Sequence, residues 1–265
     1  MLKSESVRLK SGRHWQVYDG GSGPALLWLH GPRGVDAADP LLEALSARHR
    51  IVAPVAPGFN DLDELTEIDS VHELALDYDD LLRGLGLGPL AIVGHSFGGM
   101  VAAELAAHFP DRAQRLVLLA SVGLWNDAYP VADVFAVPVG EMDRLLWHDM
   151  AARDAHAARI AASAAGQDQV EQLLALTRNL TSLTKILWPI PDRGLRRRLH
   201  RIAAPTLILF GASDAFVPAR YGADFAAGIA GARSISIDGA GHMLPYEKTR
   251  DVAAAIEAFL SGKPA

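Results

Sequence analysis

Apolar residues in this chain come mostly in short unbroken runs, each ended by glycine, proline or a charge. Residues 25–29, 51–55, 90–93 and 116–120 are four such runs, and none alternates strictly between apolar and polar. A strand covered on both faces reads this way, because neither side of its pleat meets water. Between the runs lie helical patterns, over residues 40–48, 70–85 and 99–109. Strand and helix therefore alternate, which predicts a mostly parallel sheet with helices on both sides. Ahead of them, residues 7–10 and 15–18 read as an opening hairpin that turns at Ser11-Gly12-Arg13.

The alternation breaks near residue 125. Residues 125–199 contain no convincing strand, only helical stretches at 141–150, 153–165 and 167–187 that close at Trp188-Pro189-Ile190-Pro191. The middle stretch is rich in alanine, a strong helix former with little apolar bulk. The α/β pattern then resumes, with strands at 206–210 and 234–237 and helices at 218–227 and 248–260. The expected organisation is an α/β core of residues 1–124 and 200–265, with residues 125–199 inserted as a helical cap.

Composition narrows the chemistry. A chain of 265 residues, half of them hydrophobic, can bury one large α/β domain. Its 25 basic and 31 acidic residues leave a formal charge of −6, which disfavours a general nucleic-acid surface. The one basic cluster, residues 193–201, is expected to decorate a single helix. No cysteine is present, which excludes disulfides, a thiol nucleophile and thiolate metal sites. No apolar stretch approaches the ~18 residues of a membrane span. The polar start carries no signal-peptide pattern, so a cytoplasmic setting is expected.

The residues that carry chemistry sit at strand ends. Gly94-His95-Ser96-Phe97-Gly98 is a G-x-S-x-G frame between a predicted strand and a predicted helix. Such a tight turn lifts a serine hydroxyl above a sheet, beside the N–H groups of a helix start. By itself the frame is a weak pattern, and a serine between glycines is often only a turn. A hydroxyl is also a poor nucleophile without a base and an orienting acid. Asp214 follows a late predicted strand, where α/β proteins gather catalytic groups, although aspartate there is also a common turn or cap residue. His242 lies in the glycine-flanked loop after the last strand; alone, it reads as a solvated loop histidine. The order Ser96, Asp214, His242, each at a strand end, is what turns three weak signals into a candidate triad. In it Asp214 fixes the tautomer of His242, and His242 takes the Ser96 proton and returns it to the leaving group.

On these residues the chain resembles the α/β-hydrolase superfamily, from about residue 5 to the C-terminus. His30-Gly31 after the third strand and a cap inserted after the sixth extend the resemblance. It implies an eight-stranded, mostly parallel sheet and a capped serine hydrolase: a carboxylesterase, a lactonase or a carbon–carbon bond hydrolase of meta-cleavage products. Haloalkane dehalogenases and epoxide hydrolases share the architecture but use aspartate where this chain has Ser96. Cofactor-free haloperoxidase-like relatives keep the triad, so side activity of that kind stays open. No cofactor or metal is implied, and His148 and His156 are too far from any carboxylate cluster to suggest a metal site.

Two departures matter. The family's oxyanion hole takes one N–H from the residue after the nucleophile, here Phe97. The second comes from the residue after His-Gly, here Pro32, which has no N–H. Arg33 or Gly34 must present its amide instead, or the enzyme is slow or specialised, since a missing donor costs ~2.7–4 kcal/mol. The Arg33 guanidinium is also placed to meet a substrate carboxylate or the oxyanion, if it is not simply solvated. The carbon–carbon hydrolases usually have tryptophan after the catalytic histidine, where this chain has Met243. They bind a dienoate carboxylate through a cap arginine, for which Arg178, Arg193 and Arg196 are available. That reading therefore ranks second to a carboxylesterase.

The substrate pocket is expected between sheet and insertion. His30, Gly31, Pro32, Phe97, Met100 and Met243 are its expected core-side wall. Trp125, Tyr129, Phe135, Met142, Leu146, Trp147, Leu183 and Trp188 are cap candidates, with Trp125 and Trp147 foremost. Such a wall suits a small or medium, mostly apolar molecule with one ester, lactone or activated ketone group. The partner is thus a small molecule, and either a monomer or a homodimer is compatible. A ligand receptor built on a hydrolase scaffold is the non-enzymatic alternative.

Overall fold

The computed structural model describes residues 2–66, 68–134, 136–163, 169–188 and 190–262. Eight strands form one sheet in the order β1-β2-β4-β3-β5-β6-β7-β8. These are β1 Lys3–Arg8, β2 His14–Gly21, β3 Ala25–Leu29, β4 Arg50–Pro54, β5 Leu90–His95, β6 Ala113–Leu119, β7 Thr206–Gly211 and β8 Arg233–Ile237. β1 and β2 pair antiparallel, as do β2 and β4; all other pairs are parallel. β7 is buried along its whole length and β3 to β6 along most of theirs, which is why these runs lack alternation.

The sheet is flanked by α1 Pro40–Ser46, α2 Val71–Gly84, α3 Phe97–His108, α7 Tyr221–Gly228, α8 Leu244–Glu247 and α9 Thr249–Leu260. Between β6 and β7 run α4 Met142–Leu146, α5 Met150–Ser163 and α6 Gln169–Leu187, with no strand among the described residues there. Local chemistry starts these helices where the pattern placed them. Ser70 caps α2, accepting from the Glu73 N–H at 3.3 Å, while Glu73 Oε2 accepts from the Asp69 N–H at 2.6 Å, a reciprocal capping arrangement.

The expected helix over 141–150 is instead two helices with an extended break at Trp147. Asp149 causes the restart: its Oδ1 accepts from the Ala151 and Ala152 N–H groups, at 2.9 and 3.1 Å, and so caps α5. Residues 164–168, part of two expected helices, lie outside the described residues, as does Phe135. The basic cluster does not decorate one helix. Gly194 at φ +77° and two short 3₁₀ turns, Leu195–Arg197 and Leu199–Arg201, break the chain up. Its arginines are ties. Arg198 grips both oxygens of the fully buried Glu104, at 2.8 and 2.6 Å, and Arg196 reaches Asp224 at 3.0 Å.

Candidate active site

Ser96 sits between β5 and α3 at φ 54°, ψ −113°, in the positive-φ region that non-glycine residues rarely occupy. Its glycine neighbours make that turn possible. A Cβ on Gly94 would lie 2.3 Å from the Gly98 carbonyl oxygen, and one on Gly98 only 2.0 Å from that of Leu29. The strained backbone is held on both sides: the Ser96 N–H donates to Leu119 O at 2.9 Å, and Ser96 O accepts from Gly99 N at 3.0 Å.

Ser96 Oγ lies 2.8 Å from His242 Nε2, and His242 Nδ1 lies 2.9 Å from Asp214 Oδ2. The other Asp214 oxygen accepts from the Phe216 and Val217 N–H groups, at 2.9 and 2.8 Å. With Oδ1 so occupied, Asp214 is fixed to face the imidazole. Phe216 stands edge-on to the His242 ring at 4.7 Å. The three sequence candidates are thus in one hydrogen-bonded line, 28 and 146 residues apart along the chain.

Two further residues hold this line, and sequence reasoning missed their part in it. His95, inside the G-x-S-x-G frame, approaches the His242 carbonyl oxygen with Nε2 at 3.0 Å. Burial, then the neighbouring His242, pushes its pKa down to about 3, so the ring is neutral and its Nε2–H donates. Glu247 has no local signature at all. Its Oε2 accepts from Gly241, His148 and Asp149 N–H groups at 3.1, 3.2 and 3.1 Å, and so pins the histidine loop to the segment before α5.

A cavity of about 330 Å³ opens beside Ser96. Pro32, Arg33, Phe97 and Phe216 line it from the sheet side, with Met142, Leu146, Trp147 and Leu176, Leu180, Leu183 and Leu187 from the helices opposite. The four leucines, three or four residues apart, form one stripe of α6. Among the expected wall residues, Pro32, Phe97 and Trp147 are in place, as are Arg33, Met142, Leu146 and Leu183.

His30, Gly31, Met100, Trp125 and Met243 are corrected: none lines the cavity. His30 is buried with both ring nitrogens engaged, Nδ1 on Gly31 O at 2.7 Å and Nε2 accepting from Ala56 N–H at 2.9 Å; burial holds its pKa down to about 4. Gly31 backs onto the His95 ring. Met100 and Met243 are packed into the core. Trp125 bonds Asp127 at 2.8 Å. Nor do Arg178, Arg193 and Arg196 line the cavity: Arg178 bonds Phe59 O at 2.8 Å, Arg193 bonds Ile186 O at 2.7 Å, and Arg196 holds Asp224.

The Pro32 loop is a tight turn closed by the Gly34 N–H on Gly31 O at 3.2 Å. Of the two amides that Pro32 leaves, Gly34's is therefore spent. As for metals, His72, Glu104 and His108 cluster within 4.8 Å among the described residues. Both Glu104 oxygens are held by Arg198, and His108 is at the far end of α3 from Ser96, so this group takes no part in the site.

Residues 20–255 match the alpha/beta hydrolase family. The chain belongs to that family. Its relatives include the 2-hydroxy-6-oxo-6-phenylhexa-2,4-dienoate hydrolase of Comamonas testosteroni, 29% identical over 77% of this chain and 74% of that protein. Another is the sn-1-specific diacylglycerol lipase ABHD11 of Mus musculus, 26% identical over 90% of this chain and 81% of that one. Among solved structures, the meta-cleavage product hydrolase of Pseudomonas fluorescens IP01 shares the fold with a TM-score of 0.79 at 22% identity, over 97% of both chains. As in a family of such breadth, membership fixes the fold and leaves the bond cleaved to the site. No helix among the described residues is long and apolar enough to cross a membrane.

Proposed function

We propose that this protein is a serine hydrolase that cleaves a carboxylic ester or lactone of a small to medium, mostly apolar substrate. The observation that carries the reading is the Ser96–His242–Asp214 line at 2.8 and 2.9 Å, opening on an apolar cavity. In this reading Asp214 accepts from Nδ1–H, which leaves the lone pair of His242 on Nε2, toward the serine. His242 takes the Ser96 proton as Oγ attacks the carbonyl carbon. The oxyanion is received by the N–H of Phe97, at the start of α3, and by that of Arg33. His242 protonates the departing alcohol, and water then cleaves the acyl-enzyme by the same path. Residues 125–199 act as the cap that closes the cavity, and a cytoplasmic setting is part of the same reading.

Cleavage of a carbon–carbon bond is the second reading, supported by relatives with that activity. Against it, Arg178, Arg193 and Arg196 are all committed away from the cavity. The test is hydrolysis of p-nitrophenyl esters from acetate to octanoate by the parent protein and by Ser96→Ala. Turnover by the parent is expected, falling by about 10⁴-fold or more in the variant. A folded parent that hydrolyses none of them overturns the esterase reading.

A further inference from the structure

One end of the cavity carries polar groups that the proposed hydrolysis does not use. Arg33, Asp143, Trp147, Arg153 and His156 line it. Asp143 is largely taken by Arg153, whose Nε lies 2.8 Å from Oδ2 and whose Nη2 is closer still; Nη1 of Arg153 turns outward to Asp154 at 2.8 Å. Arg153 is therefore committed to two carboxylates. Arg33 is not: its only ion-pair contact among the described residues is Asp143 Oδ1 at 3.7 Å, too long for a hydrogen bond.

The two aromatic neighbours are donors as well. His156 Nδ1 lies 2.8 Å from Arg159 Nη2 and accepts from it, so the ring proton is on Nε2, which is buried with no partner. Burial, then the charges of Arg33 and Arg159, pushes the His156 pKa down to about 4, which keeps the ring neutral. The Nε1–H of Trp147 is buried and unpartnered too, with the two rings 5.3 Å apart. Two buried side chains thus offer N–H groups that no acceptor among the described residues takes, and the partly exposed Arg33 guanidinium lines the same end of the cavity. Buried donors are rarely left in that state without a ligand or water to satisfy them.

We propose that this end of the cavity is a carboxylate subsite, formed by the Arg33 guanidinium with the N–H groups of His156 and Trp147. The preferred substrate is then an ester whose apolar chain ends in a carboxylate, the chain lying along the leucine stripe of α6. The inference rests on the ester-hydrolase reading of Ser96 and specifies its substrate class.

The experiment compares kcat/KM for monomethyl suberate with methyl octanoate, and monomethyl adipate with methyl hexanoate, as a ratio within each protein. The parent is expected to favour the anionic member about tenfold, the scale of a half-exposed charged hydrogen bond. Arg33→Met removes the preference and Arg33→Lys restores part of it. Trp147→Phe, which deletes one N–H and keeps the ring bulk, lowers it several-fold. Using ratios separates this effect from any change in overall rate. Neutral esters hydrolysed well, with a ratio near one that none of the variants moves, overturn the subsite and leave the esterase reading standing. If no ester is hydrolysed, the subsite is tested by calorimetric binding of monomethyl suberate and methyl octanoate to Ser96→Ala. Tighter binding of the anion that depends on Arg33 supports it, and equal binding overturns it.

Discussion

The two walls of the cavity are built on different principles. On the sheet side, Ser96, Asp214 and His242 are 3%, 8% and 0% exposed, and their positions follow from backbone geometry: a positive φ, glycines with no room for a Cβ, and loops pinned by His95 and Glu247. On the helical side the wall is a stripe of leucines on α6, running from Leu176 at 45% exposure to Leu183 at 5%. Backbone geometry tolerates almost no side-chain change, whereas a leucine stripe can be trimmed with only local consequences. The sheet wall is suited to chemistry, which fails when atoms shift by an ångström. The helical wall is suited to selecting substrates.

The hardest blow to the sheet wall is Gly98→Ala. The new methyl would meet the carbonyl oxygens of Leu29 and His30 at 2.0 and 2.6 Å, both backbone atoms at the end of β3 that cannot turn aside. Either β3 and α3 separate, carrying the Phe97 and Arg33 amides apart, or the protein does not fold. Esterase activity is expected to vanish and the melting temperature to drop by many degrees. Near-parental values of both would show that this wall is softer than its contacts imply.

Acidification also separates the walls. His95 and His30 behind the sheet wall, and His156 in the helical one, have pKa values held to about 3, 4 and 4, against 6.5 for an open imidazole. The unfolded chain therefore binds protons below pH 6.5 that the native state refuses. The stability these groups contribute is complete above pH 6.5 and is lost progressively as pH falls toward 4. Asp39, Glu64 and Glu247 act in the opposite sense: burial raises their pKa values, that of Asp39 to about 6, so they favour the native state on acidification, but Asp39 is displaced less than any of the three histidines. The melting temperature should fall between pH 6.5 and 4. His95→Gln and His156→Gln should each flatten that slope. A slope that neither variant changes would contradict this assignment.

What the sequence could and could not disclose follows the same division. Strand cores were legible because burial on both faces leaves unbroken apolar runs, and the candidate triad was legible because each member is tied to a strand end. Wall membership was not. Met100 and Met243 are close in sequence to Ser96 and His242, but neighbours along a helix or turn point in different directions, and both pack into the core. The break at Trp147 did leave a trace, an aspartate directly before α5, which the apolar pattern overrode. The tasks of Arg178 and Arg198 depend on a carbonyl and a carboxylate distant in sequence, which no local pattern encodes.

The mildest test removes bulk from the helical wall. Leu180 lines the cavity and is only partly buried, so Leu180→Ala deletes three carbons where solvent and substrate can refill the space. A fully buried leucine would cost about 2–5 kcal/mol on the same change; here the loss of stability should be well below that range. The added room should move the preferred p-nitrophenyl ester toward a longer acyl chain. KM for octanoate should fall several-fold while kcat stays within about threefold, because substrate binding changes and the Ser96–His242 geometry does not. A fall in kcat for every chain length would instead mean that α6 helps to position the chemistry, and the division between the two walls would have to be abandoned.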